Sequence, residues 1–246
     1  MRPTVSILMN CLNGAQYLRE ALNSVYAQTF EDWELIFWMD GATTDHSALE
    51  IEDTDHKVRF FKGLPHLPLG MSRNLAWSKC RGRYVALLDC DDTWEPEKLA
   101  KQVGLMEAHP AFGMSYTNAR YIGARGGTAF AQAPPQAGWI AHALLSGPNF
   151  MPSPTLMWRR EVGWETWFPP YAYAETWAFC LRVAQRWLVG FLPDILASYR
   201  VHQGQRGGTG CAGMTREVLY EMRLHPGHPL RKGLLYAKYG WQVATG

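Results

Sequence analysis

The chain has 246 residues, 47% of them hydrophobic, which is enough to bury a single α/β core without a second domain. A formal net charge of +2 is far too small to imply nucleic acid, or an anionic membrane, as the main partner, and no nucleic-acid partner is expected. The five cysteines (11, 80, 90, 180 and 211) are odd in number, scattered and without a C-x-x-C pair, which argues against a disulfide framework or zinc site and for a reducing cytosol.

No basic region followed by a long apolar stretch opens the chain, and no run reaches the length of a membrane span. The expected location is therefore the cytoplasm, with peripheral contact at the inner membrane face left open. The oligomeric state is not legible. Eleven tryptophans are many for this length; such an excess suits sugar-facing surfaces, though ordinary core packing explains most such residues.

In chain order, residues 5–9 are a short apolar run that ends at Asn10-Cys11-Leu12-Asn13-Gly14, a strand running into a loop. Leu18, Ala21, Leu22, Val25 and Tyr26 follow at helical spacing. Residues 34–39 read as a second buried strand stopping at Asp40-Gly41, and 58–61 as a third. Residues 70–80 have helical character. Residues 84–88 form another buried strand that stops at Asp89. Pro96, with Leu99, Val103 and Met106 behind it, opens the next helix.

This alternation predicts βαβ units and a mostly parallel sheet flanked by helices. In such sheets ligands sit at the carboxyl ends of the strands. Three strands here end in polar residues, Asn10, Asp40 and Asp89.

The second half is less regular. A Gly-, Ala- and Pro-rich loop is expected over 123–138, a strand over 155–158, a helix over 173–187 and a strand over 195–201. Five glycines within 204–213 suggest a mobile lid, and 230–243 a basic and aromatic C-terminal helix.

The strongest chemical signal is Asp89-Cys90-Asp91-Asp92. Three carboxylates within four residues repel one another unless a cation or hydrogen-bond donors compensate. A hard divalent cation, Mg²⁺ or Mn²⁺, takes oxygen ligands from few carboxylates together with substrate phosphates. It would neutralise a departing diphosphate. The competing reading is an acidic helix N-terminus, because Trp94-Glu95-Pro96 opens a helix.

The stretch from Tyr84 to Leu99, with Asp89-Cys90-Asp91-Asp92 inside it, resembles the D-x-D region of family 2 glycosyltransferases, the inverting group with the GT-A fold. The first strand with Asn10-Cys11-Leu12-Asn13 is similar to that family's nucleotide loop. Ala27-Gln28-Thr29 is similar to its A-Q-T segment, and Gly70-Met71-Ser72-Arg73-Asn74 to its G-x-x-R-N helix start. Leu181-Arg182 and Tyr199-Arg200-Val201-His202 look like its L-R and Y-R-x-H elements. The set spans roughly residues 4–203 in the right order.

The resemblance implies a single-domain α/β, GT-A-type Rossmann-like fold over 1–205. The nucleotide-sugar half would cover 1–118 and the acceptor half 119–205, with 206–246 a flexible Gly-rich segment and the basic and aromatic C-terminal helix. It also implies roles. Asn10, Cys11, Leu12 and Asn13 would contact the nucleoside. Asp40 would accept from its base, Arg73 would lie beside the base or phosphates, and Asp89 would bind the ribose. Asp91 would ligate the metal, with His202 as a second candidate ligand. Each has a plainer alternative: an Asp-Gly turn for Asp40, a solvated helix face for Arg73, and a structural histidine for His202. The partners implied are a uridine or thymidine diphosphate-sugar and a glycan or glycolipid acceptor.

The sequence departs from the family in three places. Met39 replaces the first acid of the motif at Met39-Asp40-Gly41. Leu12 stands where an aromatic often stacks on the base. The expected E-D pair reads Glu175-Thr176, so the family's usual base position holds a threonine. A displacement needs a general base. Glu175 is the candidate, and helix capping is its alternative. A degenerate module that binds nucleotide-sugar or glycan without turnover is the second reading. The absence of G-x-G-x-x-G after the first strand, with an Asp-Gly turn ending the second, argues against a dinucleotide oxidoreductase.

Overall fold

The apolar run after Thr4 forms strand β1 (Val5–Cys11), in which every residue is buried. A strand covered on both faces needs apolar residues at successive positions rather than alternate ones. Strands β2 (Trp33–Met39) and β4 (Tyr84–Leu87) are built the same way. The computed structural model describes residues 2–41, 57–64, 67–124, 137–146, 149–163, 166–202 and 212–224. The expected loop at 123–138, the lid at 204–213 and the helix at 230–243 lie wholly or largely outside them.

The remaining elements are α1 (Ala15–Tyr26), β3 (Val58–Lys62), α2 (Leu69–Trp77), β5 (Thr93–Trp94), α3 (Lys98–Ala108), β6 (Phe112–Gly123), α4 (Ala141–Ser146), β7 (Met157–Arg159), α5 (Glu175–Ala184), β8 (Leu188–Val201) and α6 (Ala212–Leu224). One sheet runs in the order β3-β2-β1-β4-β7-β6-β8-β5. Strands β3, β2, β1 and β4 are mutually parallel. β7 enters antiparallel between β4 and β6. β6 and β8 pair in parallel, and short β5 closes the edge antiparallel to β8. This is the mostly parallel, helix-flanked α/β sheet that the sequence predicts.

The period of two along a strand sorts its side chains between two cores. Val5, Ile7, Met9 and Cys11 of β1 face the apolar stripes of α1 (Leu18, Ala21, Leu22, Val25) and α3 (Leu99, Val103, Met106). Leu8 faces the opposite core, built from Trp77 of α2, Trp158 of β7 and Phe179 of α5. Those three aromatics meet edge to face with centroids 4.9 to 5.8 Å apart, a favoured arrangement for ring quadrupoles. The tryptophans in this group are therefore core residues.

Several boundaries differ from the sequence expectation. The helix expected over 173–187 begins only at Glu175. The backbone N–H groups of Ala172, Tyr173 and Ala174 donate instead to the Glu217 carboxylate of α6 at 2.9 to 3.0 Å. The strand expected over 155–158 is shifted to Met157–Arg159, behind a 3-10 turn at Ser153–Thr155. The expected strand at 195–201 is the end of the longer β8, which runs past Pro193 by a register shift opposite Asn118. Strand β6 was not anticipated at all. Helix α6 is fastened to the body by Glu221, which takes a fork from Arg182 at 2.7 and 2.8 Å and a bond from the Tyr171 hydroxyl at 2.8 Å. No described helix is long and apolar enough to cross a membrane.

Candidate active site

The register of β1 with β2 and β4 sets three polar residues on one rim. Asn10 lies opposite Trp38 and Cys11 opposite Met39, so the next residue of β2, Asp40, donates its backbone N–H to the Cys11 carbonyl at 2.9 Å. The backbone N–H of Leu88 donates to the Leu8 carbonyl at 3.0 Å, which carries Asp89 to the same edge. Asn10 and Asp40 are both buried, and the Asn10 Oδ1 has no hydrogen-bond partner among the described residues. Leu12 is half-buried and Asn13 exposed. Asn13 turns the chain into α1 at φ +53°, the one positive φ outside glycine among the described residues, and Asn tolerates that conformation. Gly14 is required next: a Cβ there would meet the Cys90 Sγ at 2.2 Å. The acidic loop is thus packed on the loop of residues 10–14.

Arg73, on α2, is fully buried and joins three elements. One terminal nitrogen donates to Asp89 Oδ1 at 2.6 Å. The other donates to Glu175 Oε1 and to Thr176 Oγ1, the latter at 2.5 Å. Asp89 Oδ2 accepts from the Ser153 hydroxyl at 2.7 Å. Burial opposes the guanidinium charge, but Asp89 and Glu175 outweigh it and raise the pKa of Arg73. Arg73 is therefore an internal cation and not part of a solvated helix face. Gly70, one turn earlier, lets α2 come this close, because a Cβ there would sit 1.8 Å from the Pro169 carbonyl oxygen.

The acidic loop is gripped from β8. The backbone N–H of Arg200 donates to Asp92 Oδ1 at 2.8 Å, and its side chain donates to the Asp91 carbonyl at 2.8 Å and to Glu20 at 2.6 Å. The Arg200 guanidinium lies over the Tyr17 ring, 4.4 Å from its centroid. His202 Nε2 lies 3.0 Å from Asp91 Oδ2. Burial, then the negative charge of Asp89, raises the pKa of Asp91, against the pull of His202. Burial pushes Asp92 up further, with Asp91 and Asp89 adding to it. Tyr199 is raised by burial and by the same three carboxylates.

Among the described residues, no group of three or more His, Cys, Asp and Glu side chains gathers around one point. The available pair is Asp91 with His202, a carboxylate oxygen and an imidazole nitrogen in contact, each about one-quarter exposed. That donor set suits a divalent ion with mixed N and O preference, such as Mn²⁺, whose other positions a bound diphosphate would fill. The residues present fit such an ion.

The predicted residues are thus brought together. Asn10, Cys11, Asn13, Asp40, Arg73, Asp89, Asp91, Glu175 and His202 line or underlie one rim, and Leu12 sits in the same loop. Sequence reasoning missed Ser153 and Arg200 as partners of the acidic loop. It also missed that Thr176 touches Arg73. The Y-R-x-H element carried a signal for Arg200, whereas Ser153 lies in an irregular turn with none.

Residues 6–165 match the model of glycosyl transferase family 2. The putative teichuronic acid biosynthesis glycosyltransferase TuaG of Bacillus subtilis is 32% identical over 108 residues, which are 43% of this chain and 42% of that protein. The matched stretch is about two-fifths of the length of the first such relatives. Among solved structures, S. aureus TarS in complex with UDP-GlcNAc superposes with a TM-score of 0.72 at 18% identity, covering 98% of this chain and 72% of that one. The mannosyltransferase PcManGT from Pyrobaculum calidifontis, in complex with GDP-Man and Mn²⁺, gives 0.68 at 17%, covering all of this chain and 73% of that one.

Proposed function

The chain belongs to glycosyl transferase family 2, and on that premise we propose that it moves a sugar from a nucleoside-diphosphate donor to an acceptor hydroxyl, in one displacement that inverts the anomeric carbon. The observation that carries the reading is the buried Arg73–Asp89 ion pair beside the Asp91–His202 pair, at the carboxyl ends of β1 and β4. A nucleotide is expected at this edge of a parallel sheet.

In this reading, Asn10, Cys11, Leu12 and Asn13 contact the nucleoside and Asp40 accepts from its base. Asp89, aligned by Arg73 and Ser153, binds the ribose. Asp91 and His202 hold a divalent ion. That ion would supply charge compensation for the departing diphosphate. Glu175 receives the acceptor's proton. UDP- or dTDP-sugars are the donors we favour, and the name of the TuaG relative supports a polysaccharide or glycolipid acceptor at the cell surface. The nucleotide half would be 1–118 and the acceptor half 119–205.

Calorimetric titration with UDP, GDP and dTDP, each with and without Mn²⁺, tests the donor site. One nucleotide should bind only with the ion, and Asp91→Ala should abolish that binding. No binding in any combination would remove the donor site and leave a glycan-binding module as the better reading. That reading has one observation in its favour, the threonine at position 176.

A further inference from the structure

Glu175 and Thr176 open α5 side by side, yet they face different environments. Glu175 is 4% exposed and its Oε2 has no hydrogen-bond partner among the described residues, whereas Thr176 is only partly buried. The Thr176 hydroxyl donates to Glu175 Oε1 at 2.9 Å and accepts from Arg73 at 2.5 Å. A hydroxyl has one donor and two acceptor sites. Two of the three are therefore used by described residues, and among these none takes the remaining lone pair on the more exposed side chain.

The charges in this cluster do not cancel. Arg73 supplies one positive charge against the carboxylates of Asp89 and Glu175, leaving one negative charge in excess in a buried setting. A proton delivered to Glu175 would remove that excess. An acceptor hydroxyl reaches the buried carboxylate less readily than it reaches Thr176, because burial screens Glu175 from the outside.

We propose that Thr176 relays the acceptor's proton to Glu175, so that the Thr176–Glu175 pair together replaces a single carboxylate at position 176. This rests on the transfer reaction proposed above. In the step, the acceptor O–H proton passes to Thr176 Oγ1 while the Thr176 proton passes to Glu175 Oε1. The freed electron pair on the acceptor oxygen forms the bond to the anomeric carbon. The bond from that carbon to the diphosphate oxygen breaks, and its electron pair leaves with the nucleoside diphosphate. After product release, Glu175 loses the proton to solvent by the reverse path through Thr176.

The experiment follows nucleoside diphosphate release from UDP-glucose, UDP-N-acetylglucosamine, dTDP-glucose and GDP-mannose, with Mn²⁺ and with water or simple sugars as acceptor. Thr176→Val should lower kcat by about 100-fold, the usual weight of a positioned proton acceptor, without weakening donor binding measured by calorimetry. Thr176→Ser should rescue most of it. Glu175→Gln should cost about as much in the native background, but under about threefold when Thr176→Asp places a carboxylate directly at the acceptor. A purely structural Glu175 would cost the same in both backgrounds, and that result would overturn the relay. So would a Thr176→Val enzyme within threefold of the native rate. Native protein that turns over none of these donors would sink the transfer reading and the relay together, which separates the two failures.

Discussion

Arg73 shows how much one buried side chain can settle. Its guanidinium holds two carboxylates from opposite sides, so removing it leaves Glu175 as an uncompensated buried charge. Breaking a buried pair by deleting one partner costs about 3–5 kcal/mol. We expect Arg73→Met to lose about that much in urea unfolding; a loss below about 1 kcal/mol would mean that the cluster reorganises or is solvated. Arg73→Lys should also fall short, because one ammonium cannot hold a planar fork toward Asp89, Glu175 and Thr176. The sequence offered Arg73 only as a match to G-x-x-R-N, with a solvated helix face as a fair rival. What it could not convey is the contact with α5, since Arg73 and Glu175 are 102 residues apart. The acidic triplet was easier to find, because three carboxylates within four residues repel one another unless something compensates them. Which of them faces outward was not legible: Asp92 is turned inward onto the Arg200 backbone, and Asp91 toward His202.

At the scale of single elements, helices α2 and α3 give two tests. Alanine is favoured over glycine inside a helix by roughly 1 kcal/mol. At Gly70 the opposite is expected, because the new methyl would lie 1.8 Å from the Pro169 carbonyl oxygen, a backbone atom that no rotamer change can move. Gly70→Ala should therefore destabilise by about 1–3 kcal/mol, and it should weaken donor binding because α2 carries Arg73. An unchanged melting temperature would show that α2 shifts freely. In α3, Lys98 is fully buried, donates to Gln102 Oε1 at 2.6 Å and lies 4.1 Å from the Trp94 ring centroid. Burial pulls its pKa well below the ordinary 10.5. Between the folded and ordinary values, the unfolded chain binds the extra proton, so native stability rises with pH across that window, by up to about 1.4 kcal/mol per unit. Lys98→Met lacks this term. Any stability advantage of Lys98→Met over the native protein should shrink from pH 7 toward pH 10, as measured by urea unfolding; a constant difference would refute the assignment. These elements were legible to different degrees. Strands β1, β2 and β4 were read to within two residues, because burial on both faces demands nearly unbroken apolar runs, whereas the two-residue β5 carried no signal. β6 was not, since its Gly113, Ser115, Thr117 and Asn118 interrupt the pattern. Gly113 is there to admit Trp187, whose ring atoms a Cβ would strike at 2.4 Å.

Across the whole molecule, the candidate site is where distant parts of the chain meet. β1 and β4 bring the rim, α2 brings Arg73, α5 brings Glu175, and the end of β8 brings Arg200 and His202 to the acidic loop more than 100 residues away. Burial, with the charges of neighbouring carboxylates added to it, raises the pKa of Asp91 and of Asp92, so the folded protein holds carboxylate repulsion there. A nucleoside diphosphate with Mn²⁺ would relieve it and bridge both halves of the sheet. Binding to the native state alone stabilises by about 2.7 kcal/mol at one hundred times the dissociation constant. For a domain of this size that corresponds to a rise of about 5–10 °C in Tm. The rise should require nucleotide and ion together, since Asp91 and His202 alone offer the ion too few ligands, and repulsion from three carboxylates opposes a diphosphate arriving without it. Thermal unfolding followed by intrinsic tryptophan fluorescence, with UDP, GDP or dTDP, Mn²⁺, or one nucleotide plus Mn²⁺, reads this directly. Asp91→Ala should abolish the combined shift while leaving the unliganded Tm equal or higher, because it removes one of the repelling charges. A shift of the same size in Asp91→Ala, or with Mn²⁺ alone, would place the ion elsewhere and separate the acidic loop from donor binding.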